Sequence, residues 1–110
     1  MQVKYLKPIL VAGTLIGLSQ WSGLSFAQTA DQLYKRGLAA TCANCHGTNG
    51  KVVSGSPVIG LAGLPADYIV SQMKAFKSGA RPATVMHQLS KGYSDEQIEQ
   101  LAAYFAALKK

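Results

Sequence analysis

Cys42-Ala43-Asn44-Cys45-His46 is the segment of this chain whose residue types and spacing together specify a chemistry. Two cysteines at i and i+3, with a histidine at i+4, share one face when the segment is helical. From that face each thiol can add to one vinyl group of a porphyrin while the imidazole reaches the iron. The C-x-x-C-H string is the signature of such covalent haem attachment. Three other uses of a cysteine pair compete with it. A thioredoxin-like redox pair calls for a βαβ setting, which the sequence lacks. A zinc site would have two thiolates and His46, but no second Cys/His cluster follows at a ligand spacing, and only His87 remains. A disulfide across two residues would close a tiny loop and stabilise little. With no further cysteine, the haem reading implies one covalent haem c, held by Cys42 and Cys45, with His46 as an iron ligand.

The second axial ligand must come from elsewhere. Met1 falls in a leader segment, and Met73 lies on an apolar helical stripe, where core filling is the ordinary role of methionine. Met86 sits in the irregular Ala80–Gly92 connection, where a thioether can be aimed at a planar cofactor. His87, next to it, is the alternative, although an exposed loop histidine is the commoner occupant of such a place. A methionine–histidine pair is established in electron-carrying haem proteins, which favours Met86.

Three helices must position these groups. The first runs from about Asp31, a candidate cap, to the cysteines, with Leu33, Tyr34, Gly37 and Leu38 on one face. The second begins near Pro65, carries the stripe Ile69, Met73 and Phe76, and stops before Gly79. The third has a capping box at Ser94 and Gln97 and a hydrophobic staple of Tyr93 and Ile98. Its acidic start (Asp95, Glu96) and basic end (Lys109, Lys110) suit the helix dipole. Ile98, Leu101, Ala102, Phe105 and Leu108 form its buried stripe. Gly47 to Gly63 and Ala80 to Gly92 read as loops, the latter with a short helix around Thr84–Leu89. No alternating strand is evident, and the predicted fold class is all-α.

Residues 1–27 read as a secretory signal peptide. Lys4 and Lys7 precede an apolar run from Pro8 to Leu18, and Ser25-Phe26-Ala27 is a small-x-small site that puts cleavage after Ala27. A membrane-spanning helix needs about 20 apolar residues, and Ser19, Gln20 and Ser22 interrupt this run too early. No stable membrane insertion is therefore expected after cleavage, and the mature protein is expected in the periplasm. Removing 27 of 110 residues leaves 83, residues 28–110, as one small domain. The whole chain has 11 Lys+Arg against 5 Asp+Glu. Only Arg36 and Arg81 are arginines and the lysines are scattered, so no nucleic-acid stripe forms. A chain 48% hydrophobic and 15% charged is too apolar to be disordered.

Cys42–Gly47, the downstream Met86, Tyr93-Ser94-Asp95-Glu96 and Ala102-Ala103-Tyr104-Phe105 together resemble the class I cytochromes c, over essentially the whole mature chain. Within that class, Phe76–Gly79, Ala83–Met86 and Ser90–Ser94 are most similar to the cytochrome subunit of flavocytochrome c sulfide dehydrogenase. The resemblance implies a monohaem version, since two-haem members carry a second C-x-x-C-H. It implies Cys42 and Cys45 as haem attachment points, with His46 and Met86 as axial iron ligands. Many members have a proline whose carbonyl orients the proximal histidine. Ile59 aligns there, with Pro57 two residues earlier, which leaves open the residue that serves His46.

Six-coordinate iron suits electron transfer, Fe(III)/Fe(II) cycling, rather than substrate binding. Leu38, Leu61, Ile69, Met73, Val85 and Leu89 are candidates for the apolar shell around it. The resemblance implies electrons accepted from the flavoprotein subunit of a sulfide dehydrogenase. This chain carries no G-x-G-x-x-G between a strand and a helix, so no flavin is expected on it. Two further classes are a free-standing periplasmic shuttle serving an oxidase, and a haem enzyme or gas sensor with a labile Met86.

Overall fold

The computed structural model describes residues 28–110; the expected leader, with its cleavage site after Ala27, lies outside the described residues. Five α-helices, two single-turn 3-10 helices and no strand are found among the described residues. The all-α expectation holds. The long helices are α1 (Ala30–Ala40), α3 (Ala66–Ser78) and α5 (Asp95–Ala106), and the short ones are α2 (Ala43–His46) and α4 (Met86–Leu89).

Helix α1 is capped by Thr29 rather than by Asp31. The Thr29 hydroxyl accepts from the Gln32 N–H at 3.2 Å, and the Gln32 side chain accepts from the Thr29 N–H at 3.1 Å. Thr29-x-x-Gln32 is thus a complete capping box. Asp31 instead takes the Lys35 ammonium one turn on, at 2.7 Å. The predicted apolar face of α1 also needs correction. Leu33 and Tyr34 are 56% and 49% exposed, and burial is confined to Ala39, with Leu38 half-buried. The early turns of α1 run past the polar start of α5, where Gln97 Nε2 donates to the Tyr34 hydroxyl at 3.0 Å. Only the last turn reaches the core.

That core is made by α3 packed on α5, with α1 leaning on α5. Ile69 and Met73 enter from α3; Ile98, Leu101, Ala102 and Phe105 enter from α5; Ala39 closes one side. Both halves of the Ser94/Gln97 capping box are present, at 2.9 and 3.1 Å. Pro65 stands just outside α3 in extended backbone, and the first intrahelical bond runs from the Ile69 N–H to its carbonyl. Gly79 ends α3 as predicted, in the left-handed conformation. Helix α5 ends at Ala106, so Leu108, Lys109 and Lys110 lie beyond it. The Gly63 N–H satisfies the Phe105 carbonyl at 2.8 Å, tying the returning loop to the end of α5.

The loop after α2 depends on two glycines. Gly47 and Gly50 adopt φ of 78° and 71°, which only glycine enters without strain. A Cβ on Gly47 would stand 2.0 Å from the Lys51 carbonyl oxygen, and one on Gly50 would stand 2.8 Å from Leu61 Cβ. The Gly50 carbonyl accepts from both the Leu61 and Ala62 N–H groups, at 2.8 and 3.1 Å. Those bonds fold residues 51–61 back across α2.

Candidate functional site

A cleft of about 550 Å³ opens between α2, the returning loop, the inner face of α3 and the segment around α4. Cofactor sites span roughly 300–1,000 Å³, so the size is suitable. The buried Ile69, Leu101 and Phe105 line its floor, while the exposed Ile59, Val85 and Leu89 stand at its rim. Cys42, Cys45, His46 and Met86 all line this one cleft, although Met86 comes from a separate segment. His87 does not line it. Its ring is half-buried, with Nδ1 enclosed and without a partner. Met73 belongs to the core, as expected, and also contributes to the cleft wall. Of the predicted apolar shell, Leu61, Ile69, Met73, Val85 and Leu89 line the cleft; Leu38 instead packs against the core from α1.

His46 is oriented by the fold. Its Nδ1 lies 2.8 Å from the Ile59 carbonyl oxygen. A carbonyl only accepts, so Nδ1 carries the proton and Nε2 keeps its lone pair for a metal. Fixing the ring through the distal nitrogen is the usual support of a ligating histidine. The backbone turn at Gly50 delivers this carbonyl, and Ile59 supplies it without any proline at that position.

The two cysteines are free thiols, Cys42 half-buried and Cys45 exposed. Burial pushes the Cys42 thiol above its ordinary pKa, and the Thr41 hydroxyl lies 3.9 Å from the sulfur. Among the described residues no three His, Cys, Asp or Glu side chains converge to hold a bare metal ion. The residues fit a planar porphyrin better: two thiols, an oriented imidazole and a thioether meet around mainly apolar walls.

Several polar side chains at the cleft were missed from the sequence. Tyr68 and Gln72 precede Ile69 and Met73 on α3 and ride the edge of that stripe, which is the signal that could have found them. Arg81, one of the scattered basic residues, lines the cleft as well. Its guanidinium lies 4.6 Å from the centre of the Phe76 ring and donates to Gln72 Oε1. Tyr93, read as a staple residue, also sends its phenol to Thr41 at 2.6 Å. At the outer end of α3, Lys77 donates to Asp95 at 2.9 Å and to the Tyr93 carbonyl at 2.8 Å. The hydrogen bond and charge of Lys77 hold the Asp95 carboxyl below its ordinary pKa.

Residues 27–105 match the family described as cytochrome c oxidase, cbb3-type, subunit III. The cytochrome subunit of sulfide dehydrogenase from Chlorobaculum tepidum is 41% identical over 73 residues, 66% of this chain and 64% of that protein. The thiosulfate dehydrogenase electron acceptor of Thiomonas intermedia is 42% identical over 74 residues, 64% of this chain and 33% of that protein. Cytochrome c-554(548) of Halomonas halodenitrificans is 38% identical over 71 residues, 61% of this chain and 83% of that protein. The matched stretch thus spans less than two thirds of the first two relatives' own length.

Proposed function

The chain belongs to the cytochrome c family, and we propose that it is an exported one-electron carrier with a single haem c fixed at Cys42 and Cys45 and its iron held by His46 and Met86. When bound, the haem supplies a reversible Fe(III)/Fe(II) couple. The observation that carries the reading is the meeting of these four residues in one apolar cleft.

Each side chain has a definable task. Cys42 and Cys45 would hold the haem through two thioether links, each sulfur bonding one vinyl carbon and its hydrogen going to the neighbouring carbon. His46, its Nδ1–H committed to Ile59, offers Nε2 to the iron. Met86 offers a soft thioether, which favours the ferrous state and raises the potential. Ile69, Leu101 and Phe105 exclude water from the floor. Arg81 at the cleft is suited to a carboxylate of the cofactor. With the iron held by both His46 and Met86, the site would serve electron transfer rather than substrate binding, and no proton-transfer residue would be needed. Cleavage after Ala27 places the mature chain in the periplasm. Among the described residues no helix is long and apolar enough to cross a membrane.

For a donor, we infer the flavoprotein subunit of a sulfide dehydrogenase. The likeness to the Chlorobaculum tepidum subunit supports this, and so does the character of the rim. Residues 52–64 and 83–86 contain no charged side chain, which leaves Lys51, Lys74, Lys77, Arg81 and Lys91 as the charges able to rim the haem edge. A short-lived shuttle is steered by a ring of charges at its contact face, whereas an uncharged contact suits a drier and longer-lived interface. The likeness to a thiosulfate dehydrogenase electron acceptor supports a second donor, a thiosulfate-oxidising enzyme. Purification from the native periplasm at moderate salt separates the two. Co-elution with a flavoprotein and rapid haem reduction by sulfide is the expected result. Reduction by thiosulfate alone transfers the assignment to the second donor. A lone chain that neither reagent reduces faster than free haem leaves a general shuttle.

A further inference from the structure

The Met86 side of the cleft and the cysteine side are joined by one hydrogen bond between groups 52 positions apart, Tyr93 Oη to Thr41 Oγ1 at 2.6 Å. Its direction follows from the neighbours. Thr41 has a single hydroxyl proton, and that proton goes to the Leu38 carbonyl at 2.7 Å. Tyr93 is therefore the donor and Thr41 the acceptor. Thr41 immediately precedes Cys42, ends α1 and sits 3.9 Å from the Cys42 sulfur.

Tyr93 is equally well tied to Met86. Helix α4 begins at Met86 and runs directly into the 3-10 turn Ser90–Gly92, whose Ser90 is fully buried. The Tyr93 N–H closes that turn on the Ser90 carbonyl. The Tyr93 carbonyl is held in addition by Lys77 of α3. Met86 and Tyr93 are thus the two ends of one short helical unit, anchored at its far end to α3 and, through the phenol, to the residue beside Cys42.

We propose that the Tyr93 phenol is a positioning group that latches the Met86 segment to the Cys42 helix and thereby limits how readily the methionine sulfur leaves the iron. The inference rests on the His46/Met86 ligation proposed above. Breaking the latch frees the segment to swing outward while the core beneath it stays packed. The unlatched protein therefore admits an external ligand more easily.

The test is a cyanide titration of the oxidised haem-loaded protein, followed by loss of the sulfur–iron charge-transfer band. Tyr93→Phe and Thr41→Val should each bind cyanide roughly tenfold tighter than the parent, about the effect of one lost hydrogen bond. The double variant should bind no tighter than either single one, since both remove the same bond. Thr41→Ser should restore the parent affinity. Tyr34→Phe removes another phenol bond, in which the Tyr34 hydroxyl accepts from Gln97 away from the cleft lining, and should leave cyanide affinity unchanged. Parent-like affinity in Tyr93→Phe, with the band absent from Met86→Ala, would overturn the latch and leave the ligation standing. A band that persists in Met86→Ala would overturn the ligation, and the latch with it.

Discussion

Changing Cys42 and Cys45 together to alanine is expected to leave a haem-free chain that no longer unfolds cooperatively. The mature domain would have 83 residues, and a chain this short buries too little apolar surface to be robust without a staple. Its core is a cluster of seven buried residues, two of them alanines. The chain by itself leaves Ile59, Val85 and Leu89 more than half open to water around the cleft. Helices α2 and α4 have four residues each, far below the length at which a helix holds itself together. Calorimetry of the double variant should give a broad transition of low enthalpy where the haem-loaded parent gives a sharp one. A sharp, native-like transition in the variant would contradict this.

Met86→Ala is expected to abolish the sulfur–iron band of the oxidised protein, open the sixth position to added ligands and lower the potential. The fall should be on the order of 0.1 V or more, within the roughly 0.8 V range that axial ligands control. The two neighbouring candidates give different results. Met73 is 8% exposed and packed among Ile69, Leu101 and Phe105, so Met73→Ala should cost about 2–5 kcal/mol of stability and keep the band. His87 does not line the cleft, and His87→Ala should leave the spectrum as it is. A Met86 variant that keeps its band, or a Met73 variant that loses it, would exchange the roles.

What the sequence made legible is what is local. C-x-x-C-H is read within one helical turn, and Ser94-x-x-Gln97 marks the start of α5 because both partners of the capping box lie within that turn. The stripe Ile69, Met73, Phe76 is periodic, and Gly79 is a stop that follows from backbone freedom alone. Thr29-x-x-Gln32 obeys the same rule as the α5 box, so the true cap of α1 was legible too, two residues before the expected Asp31. Features that join distant segments were not legible. Leu33 and Tyr34 have the spacing of a buried face, yet α1 meets the core only at its last turn. Any residue can supply the carbonyl that orients His46. Its choice of Ile59 depends on how Gly50 folds the loop back, and a side-chain pattern does not encode that. The phenol of Tyr93 is silent in the same way. Its ring was accounted for as a staple, while its hydroxyl finds Thr41 only once α1 and the α4 segment have come together.

The haem attachment itself is open to one direct measurement. The protein is produced in a host that exports it and matures c-type haem, then extracted with acidified acetone and weighed intact. The account predicts that the colour stays with the polypeptide. It also predicts a mass equal to residues 28–110 plus one haem, with the added mass on the peptide that holds Cys42 and Cys45. Haem released into the organic phase, with an unmodified polypeptide left behind, would contradict it.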